Sequence, residues 1–202
     1  MKKRILLRIV LPILCLLAIL AGVLYFTLVY LPEEQKRQEH KQAVQQYWDQ
    51  KFAVYAAENE QYADYEVDVA FLGDSLTDLY PLEEYYPQFT VSNRGIGGDT
   101  TFNLEDRLQL SVYDLKPKVA VMLIGGNNVQ NMFDNYESIL QGLQKNLPQT
   151  KIVLISLTPM GGDWAYKNEI SAYNNVKIRL LAEKYGFSFV DIYTPMFDLQ
   201  TG

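Results

Sequence analysis

"FLGDSLTDLY", residues 71–80, is the stretch around which the rest of the chain is ordered. An apolar run stops at Gly73 and presents Asp74 and Ser75. A buried strand that ends in a small residue followed by a hydroxyl is one way to hold a serine at the mouth of a sheet. A serine that merely makes a turn is the ordinary alternative. The residues at the ends of the other apolar runs decide between the two.

The run that contains Gly73 is "VDVAFLG" (67–73), and four others succeed it: "FTVSN" (89–93), "KVAVMLIGG" (118–126), "KIVLISLTP" (151–159) and "FSFVDIY" (187–193). Between them lie amphipathic stretches near 100–114, 133–146 and 164–185, the second stopped by Pro148 and the third by Gly186. Short apolar runs alternating with helical stretches are the pattern of βαβ units. The expected fold is a three-layer α/β/α, flavodoxin-like domain on a five-stranded parallel sheet. Such sheets bind ligands outside the carboxyl ends of their strands, so chemistry is sought just after each run.

The first run is followed by Gly73, Asp74 and Ser75, the second by "NRGIGGDTT" (93–101), and the third by Gly125, Gly126, Asn127 and Asn128. These three ends place a hydroxyl beside glycine-rich backbone and a carboxamide, a set suited to acyl transfer. An ester carbonyl attacked by Ser75 becomes an oxyanion, which needs preorganised N–H donors. The candidates are the backbone N–H groups of Ser75 and Gly98 and the side-chain amide of Asn127.

Upstream, Ile9–Leu31 is an uninterrupted uncharged apolar stretch preceded by Lys2, Lys3, Arg4 and Arg8. At about 1.5 Å per residue it spans a hydrocarbon core of roughly 30 Å, and it exceeds the h-region of a cleaved signal. The expected organisation is a cytoplasmic basic segment (1–8), a transmembrane anchor (9–31), a helical stalk (32–64) and a domain over 65–202 that faces outward, at a cell surface of bacterial type. In the stalk, Val44, Tyr47, Trp48, Phe52 and Tyr55 recur at helical steps and form one packing face. The single cysteine, Cys15, lies within the apolar stretch, so the outer part has no thiol and no disulfide. The net charge of −6 disfavours a general nucleic-acid partner.

The blocks "FLGDSL", "NRGIGGDTT", "KPKVAVMLIGGNN" and "FVDIYTPMF" resemble successive blocks of the SGNH (GDSL) hydrolases. The second and third resemble the platelet-activating-factor acetylhydrolase α-subunit branch. The resemblance implies that Ser75 is the nucleophile, Gly98 the oxyanion glycine and Asn127 the oxyanion asparagine. Asn128 stands where many members carry Asp and is similar to the acetylhydrolase-like branch there.

The resemblance also implies a histidine from a C-terminal DxxH block, and this chain has one histidine, His40, in the polar stalk. The nearest look-alike is Asp198, three residues before Thr201, where the motif requires histidine. The catalytic His and Asp are thus missing from the 202 residues, and the expectation is a C-terminally truncated hydrolase that is nearly inactive. A surface module that binds a ligand without turnover is the alternative.

Other polar residues at the rim have plainer readings. Asp74 caps a turn, Asp99 and Thr100 cap the next helix, and Arg94 and Arg107 are surface or ion-pair residues. Met160, Trp164 and Tyr166, in "TPMGGDWAY" (158–166), come after the fourth run and are candidates for a substrate rim or for plain packing. No phosphate loop, dinucleotide fingerprint or metal-ligand spacing is present, so no cofactor is expected. The expected substrate is a small ester, an acylated carbohydrate or a lipid.

Overall fold

The computed structural model describes residues 2–197, with side chains from residue 11 onward; Asp198 and Thr201 lie outside the described residues. The chain divides into two compact units, Met1–Gln50 and Lys51–Gly202.

In the first unit, α1 (Lys2–Tyr25) continues through one π-helical turn, Phe26–Tyr30, into α2 (Leu31–Gln61). After Pro32 there is no Gly or Pro to interrupt α2. Four-residue side-chain pairs, Gln38 to Glu34 at 2.7 Å and Gln45 to Asp49 at 2.8 Å, support its polar turns. The apolar side chains from Leu11 to Leu31 are exposed. Among the described residues one helix is long and apolar enough to cross a membrane, by length and composition.

The second unit is built on β1 (Val69–Gly73), β2 (Val91–Gly95), β3 (Val119–Leu123), β4 (Lys151–Ile155) and β5 (Ser188–Val190). All pair in parallel, in the order β2-β1-β3-β4-β5. Four of the five apolar runs expected from sequence contain a strand whole, and the run at 89–93 overlaps one. β3 stops at Leu123 because its partner β1 ends at Gly73, directly opposite, and the ladder has nothing left to bond. β2 starts and ends two residues later than "FTVSN", taking in Arg94 and Gly95.

The stretch 100–114 resolves into α5 (Thr101–Asp106) and a π-helical turn, Gln109–Tyr113. The later two contain α6 (Tyr136–Asn146) and α7 (Asn168–Tyr185), the latter closed by Gly186 at φ +69°. Three four-residue helices carry no sequence signal of their own: α3 (Ser75–Asp78), α4 (Leu82–Tyr85) and α8 (Tyr193–Met196).

On one sheet face Leu72, Ala120, Met122, Ile152 and Leu154 are buried beneath Leu104 of α5, Ile139, Leu140 and Leu143 of α6, and Ile178 and Leu181 of α7. The opposite face, with Phe71, Val121, Leu123 and Ile155, flanks an apolar cavity of about 450 Å³ bordered by Leu76, Tyr80, Tyr86 and Met196.

The last turns of α2 belong to this unit. Tyr55 is buried, and its hydroxyl donates to Gly95 O at 2.7 Å. Arg94, expected at the surface or in an ion pair, is fully buried. Its guanidinium donates to Ser92 Oγ (2.6 Å), Tyr55 O (3.2 Å) and Glu58 Oε2 (2.8 Å) and lies over the Tyr55 ring. The ion pair is present; the surface position is not, because Tyr55 and Glu58 of α2 meet the face of β2 from which Ser92 and Arg94 project.

Candidate active site

The carboxyl ends of β2, β1 and β3 are level: Gly73 pairs with Gly95 on one side and with Leu123 on the other. The glycines at these ends have steric reasons. A Cβ on Gly73 would lie 2.1 Å from Thr77 Oγ1 and 2.5 Å from Leu123 O, and one on Gly95 would lie 2.2 Å from Asp78 N. Helix α3 therefore folds back over both strand ends, and only glycine leaves it the space.

Asp74 caps α3, its Oδ1 accepting the Leu76 N–H at 3.0 Å. Its burial raises the carboxyl pKa above the usual carboxylate range. Ser75 is then the first residue of the helix and half-buried. Neither its hydroxyl nor its backbone N–H makes a hydrogen bond with the described residues.

The second loop leaves β2 and reaches Gly98 at φ +83°, the left-handed region that favours glycine. Gly98 is exposed, and its N–H is likewise unbonded among the described residues. Thr100 caps α5 in a capping box with Asn103. Asp99, expected to help cap that helix, does not: it is fully buried, with Oδ2 accepting Arg107 Nε at 2.7 Å. Burial raises its pKa to about 6 even though Arg107 pulls the other way.

The third loop turns at Gly125, φ +116°, into a short 3₁₀ turn, Gly126–Asn128. Asn127 is exposed, and its Nδ2 donates to Asp99 O at 2.8 Å, leaving a second N–H of the same amide. Asn128 faces the other way, donating to Thr101 Oγ1 at 2.9 Å and accepting from Thr101 N at 3.3 Å. Loops two and three are thus joined one residue from Gly98. Loop one meets loop three beside Asn127, since a Cβ on Gly126 would lie 3.8 Å from Asp74 Oδ2.

The same position lies 3.5 Å from Met160 Cε, so the rim after β4 also reaches this point. Trp164 and Tyr166 are 57% and 68% exposed. Lys167 sits 4.4 Å over the Trp164 ring and donates to Gly126 O at 3.3 Å. Sequence reasoning missed the buried amides of α7 that hold these loops. Asn168 bonds both N and O of Met160 at 2.8 Å, and Asn175 bonds both N and O of Leu157. "NEISAYNN" (168–175) carried the signal: three asparagines in a helix otherwise read for its apolar face.

Arg107, for which the sequence leaves a surface position or an ion pair open, is paired and only 4% exposed. The reason is that α5 turns its carboxyl end toward the end of β1, where Gly73 O accepts Nη2 at 3.0 Å. The expected base is not beside Ser75 in sequence or in this unit: His40 lies in the first unit, exposed on α2. Among the described residues no group of His, Cys, Asp and Glu is placed to hold a metal ion.

Comparison with known proteins agrees with this architecture. Human platelet-activating factor acetylhydrolase IB subunit alpha2 is 37% identical over 107 residues, which are 48% of this chain and 47% of that protein. The alpha1 subunit from Rattus norvegicus is 32% identical over 107 residues, 48% of this chain and 46% of that one. The chain thus spans about half the length of the curated relatives it matches. A solved GDSL-like lipase from Bacteroides thetaiotaomicron superposes with a TM-score of 0.63 at 24% identity, covering 74% of this chain and 82% of that one. An acetylxylan esterase from Geobacillus stearothermophilus gives 0.53 at 21% identity, covering 66% and 79%. At these identities the two structures speak for the fold alone. Residues 71–201 match the profile of the GDSL-like Lipase/Acylhydrolase family, about two thirds of the sequence, and the chain belongs to that family.

Proposed function

We propose that this chain is a membrane-anchored serine esterase of the SGNH type, its catalytic unit facing away from the cytoplasm. Ser75 attacks the ester carbonyl, and Ser75 N–H, Gly98 N–H and Asn127 Nδ2–H receive the oxyanion. The reading is carried by one observation: level strand ends are followed by a serine hydroxyl and a glycine N–H that are unbonded among the described residues, and by a tethered carboxamide. Loss of one such donor costs about 2.7–4 kcal/mol of transition-state stabilisation. The name of the human relative points to acetyl esters as the substrate class. Ile9–Leu31 serves as the anchor.

A serine is a weak nucleophile until a base takes its proton. The second unit holds no histidine, and in this reading a DxxH motif of the kind the family resemblance implies supplies the base. That same observation favours the second reading, a pocket that binds an ester or sugar without cleaving it.

The test is labelling of Ser75 by a fluorophosphonate, with p-nitrophenyl acetate hydrolysis measured beside it. Slow labelling that vanishes in Ser75→Ala supports the esterase, with turnover on the order of 10⁶ below a complete triad. Joining a segment that carries DxxH should restore turnover. Labelling equal in Ser75→Ala overturns the nucleophile assignment, and rapid Ser75-dependent turnover by the 202 residues overturns the missing base. For the anchor, the expected outcome is that the chain stays with membranes through an alkaline wash; release into the supernatant contradicts it.

A further inference from the structure

Arg107 bonds three separate parts of the unit through one guanidinium. Nε donates to Asp99 Oδ2 at 2.7 Å, Nη1 to Ser111 Oγ at 2.8 Å and Nη2 to Gly73 O at 3.0 Å. Gly73 O is the last carbonyl before Asp74 and Ser75, so this bond holds the nucleophile loop. Asp99 comes directly after Gly98, so its carboxylate holds the second loop. The carbonyl of the same Asp99 accepts Asn127 Nδ2 at 2.8 Å, which ties in the third. Loop two has one backbone bond of its own to the end of β1, Ile96 N to Gly73 O at 3.1 Å.

We propose that Arg107, with Asp99 as its counter-ion, is a positioning residue that sets where Ser75, Gly98 and Asn127 stand relative to one another. The proposal rests on the roles given to those three residues above. Oxyanion stabilisation depends on donors held close to where charge develops, and a displacement of about 1 Å can cost on the order of 100-fold in rate. A planar guanidinium points fixed donors in several directions at once, which a lysine ammonium on a flexible stem does not do. Burying an ion pair adds little net stability compared with an apolar replacement. The directions of its bonds are therefore what this pair contributes. Arg94 is the internal contrast: it is just as buried and also paired, but its bonds go to Ser92, Tyr55 and Glu58, none of them in a site loop.

The experiment uses the full 202-residue chain in detergent micelles, labelled with ¹⁵N, and compares Arg107→Gln, Arg107→Lys and Arg94→Gln. Two readouts are followed in folded protein: solvent exchange of the Asn127 side-chain amide and of the buried Ile96 amide, which bonds Gly73 O, and the rate of fluorophosphonate labelling at Ser75. In Arg107→Gln both amides should exchange at least about 10-fold faster, and labelling should slow by roughly 10- to 100-fold. Arg107→Lys should recover only part of either. Arg94→Gln should lower thermal stability and leave both readouts at wild-type values.

Unchanged amide exchange in Arg107→Gln overturns the proposal, and so does an equal effect of Arg94→Gln. With Ser75 labelled in the wild type, an unchanged labelling rate overturns it as well. Should Arg107→Gln not fold, Asp99→Asn carries the same comparison from the other side of the pair. If wild-type labelling does not exceed that of Ser75→Ala, the esterase reading fails, and the amide exchange alone then decides whether Arg107 braces the loops.

Discussion

A methyl group at Gly95 would sit 2.2 Å from Asp78 N and 2.7 Å from Thr77 C, backbone atoms of α3 that have nowhere to move. Gly95→Ala should therefore destabilise the second unit by about 3 kcal/mol or displace α3, read as a lower urea midpoint. Gly98 is the opposite case. A Cβ there meets nothing within 4 Å, but φ is +83°, so Gly98→Ala should cost only about 1–2 kcal/mol from backbone strain. Asp99 adds a pH dependence with an unusual sign. Burial lifts its pKa from 3.8 to about 6, against the pull of Arg107 and with the push of Asp74 and Asp78. The folded state then binds its proton more tightly than the unfolded chain. The stability associated with that proton is full below about pH 4 and is lost as pH rises through about 6, on the order of 3 kcal/mol. Asp99→Asn removes this component, so the wild type minus Asp99→Asn stability difference should shrink between about pH 4 and about pH 7 in urea titrations. That Ser75, Gly98 and Asn127 lie in loops at the carboxyl ends of strands was legible, because the segments that follow apolar runs belong to that edge of a parallel sheet whatever the details. Arg107 was not, since a lone arginine in an amphipathic stretch reads the same whether it meets water or a carbonyl.

Elements were legible in proportion to their length. The strands announced themselves through short apolar runs, whereas α3, α4 and α8, at four residues each, offer no full period to detect. Their existence depends on what they lie against: α3 is held by Lys51, paired with Asp78, and by Asn93 Nδ2 donating to Thr77 O at 2.7 Å. The last turns of α2 are joined to β2 through Arg94, Tyr55 and Glu58, and Asn59 Nδ2 donates to Leu110 O at 2.7 Å. Arg94→Leu deletes the cation and leaves Glu58, whose side chain is partly open to solvent. The expected loss is on the order of 3 kcal/mol, accompanied by faster hydrogen exchange in residues 55–61 than in α6. An undisturbed 55–61 segment would show that α2 is held by its apolar contacts instead.

At the scale of the molecule, the larger buried apolar cluster of the second unit lies beneath one sheet face. Leu140 lies at its centre, fully buried, and Leu140→Ala should lower stability by about 2–5 kcal/mol in one cooperative transition. A separate early transition would mean that α6 unfolds apart from the sheet. Apolar runs alternating with amphipathic stretches sufficed for the five parallel strands, and an unbroken apolar composition for the long helix ahead of them, while the family was legible through the resemblance of the quoted motif blocks. They also placed the hydroxyl, glycine and amide at the strand ends. The joining of those ends lay beyond them: that Arg107 reaches Gly73 O, that Asp99 turns inward to meet it, and that Asn127 rests on the Asp99 carbonyl. Such bonds connect residues up to 34 positions apart, and nothing local in either partner encodes the other. They exist only once β1, β2 and β3 are in register and the cost of burying a charge has been met by the groups found there.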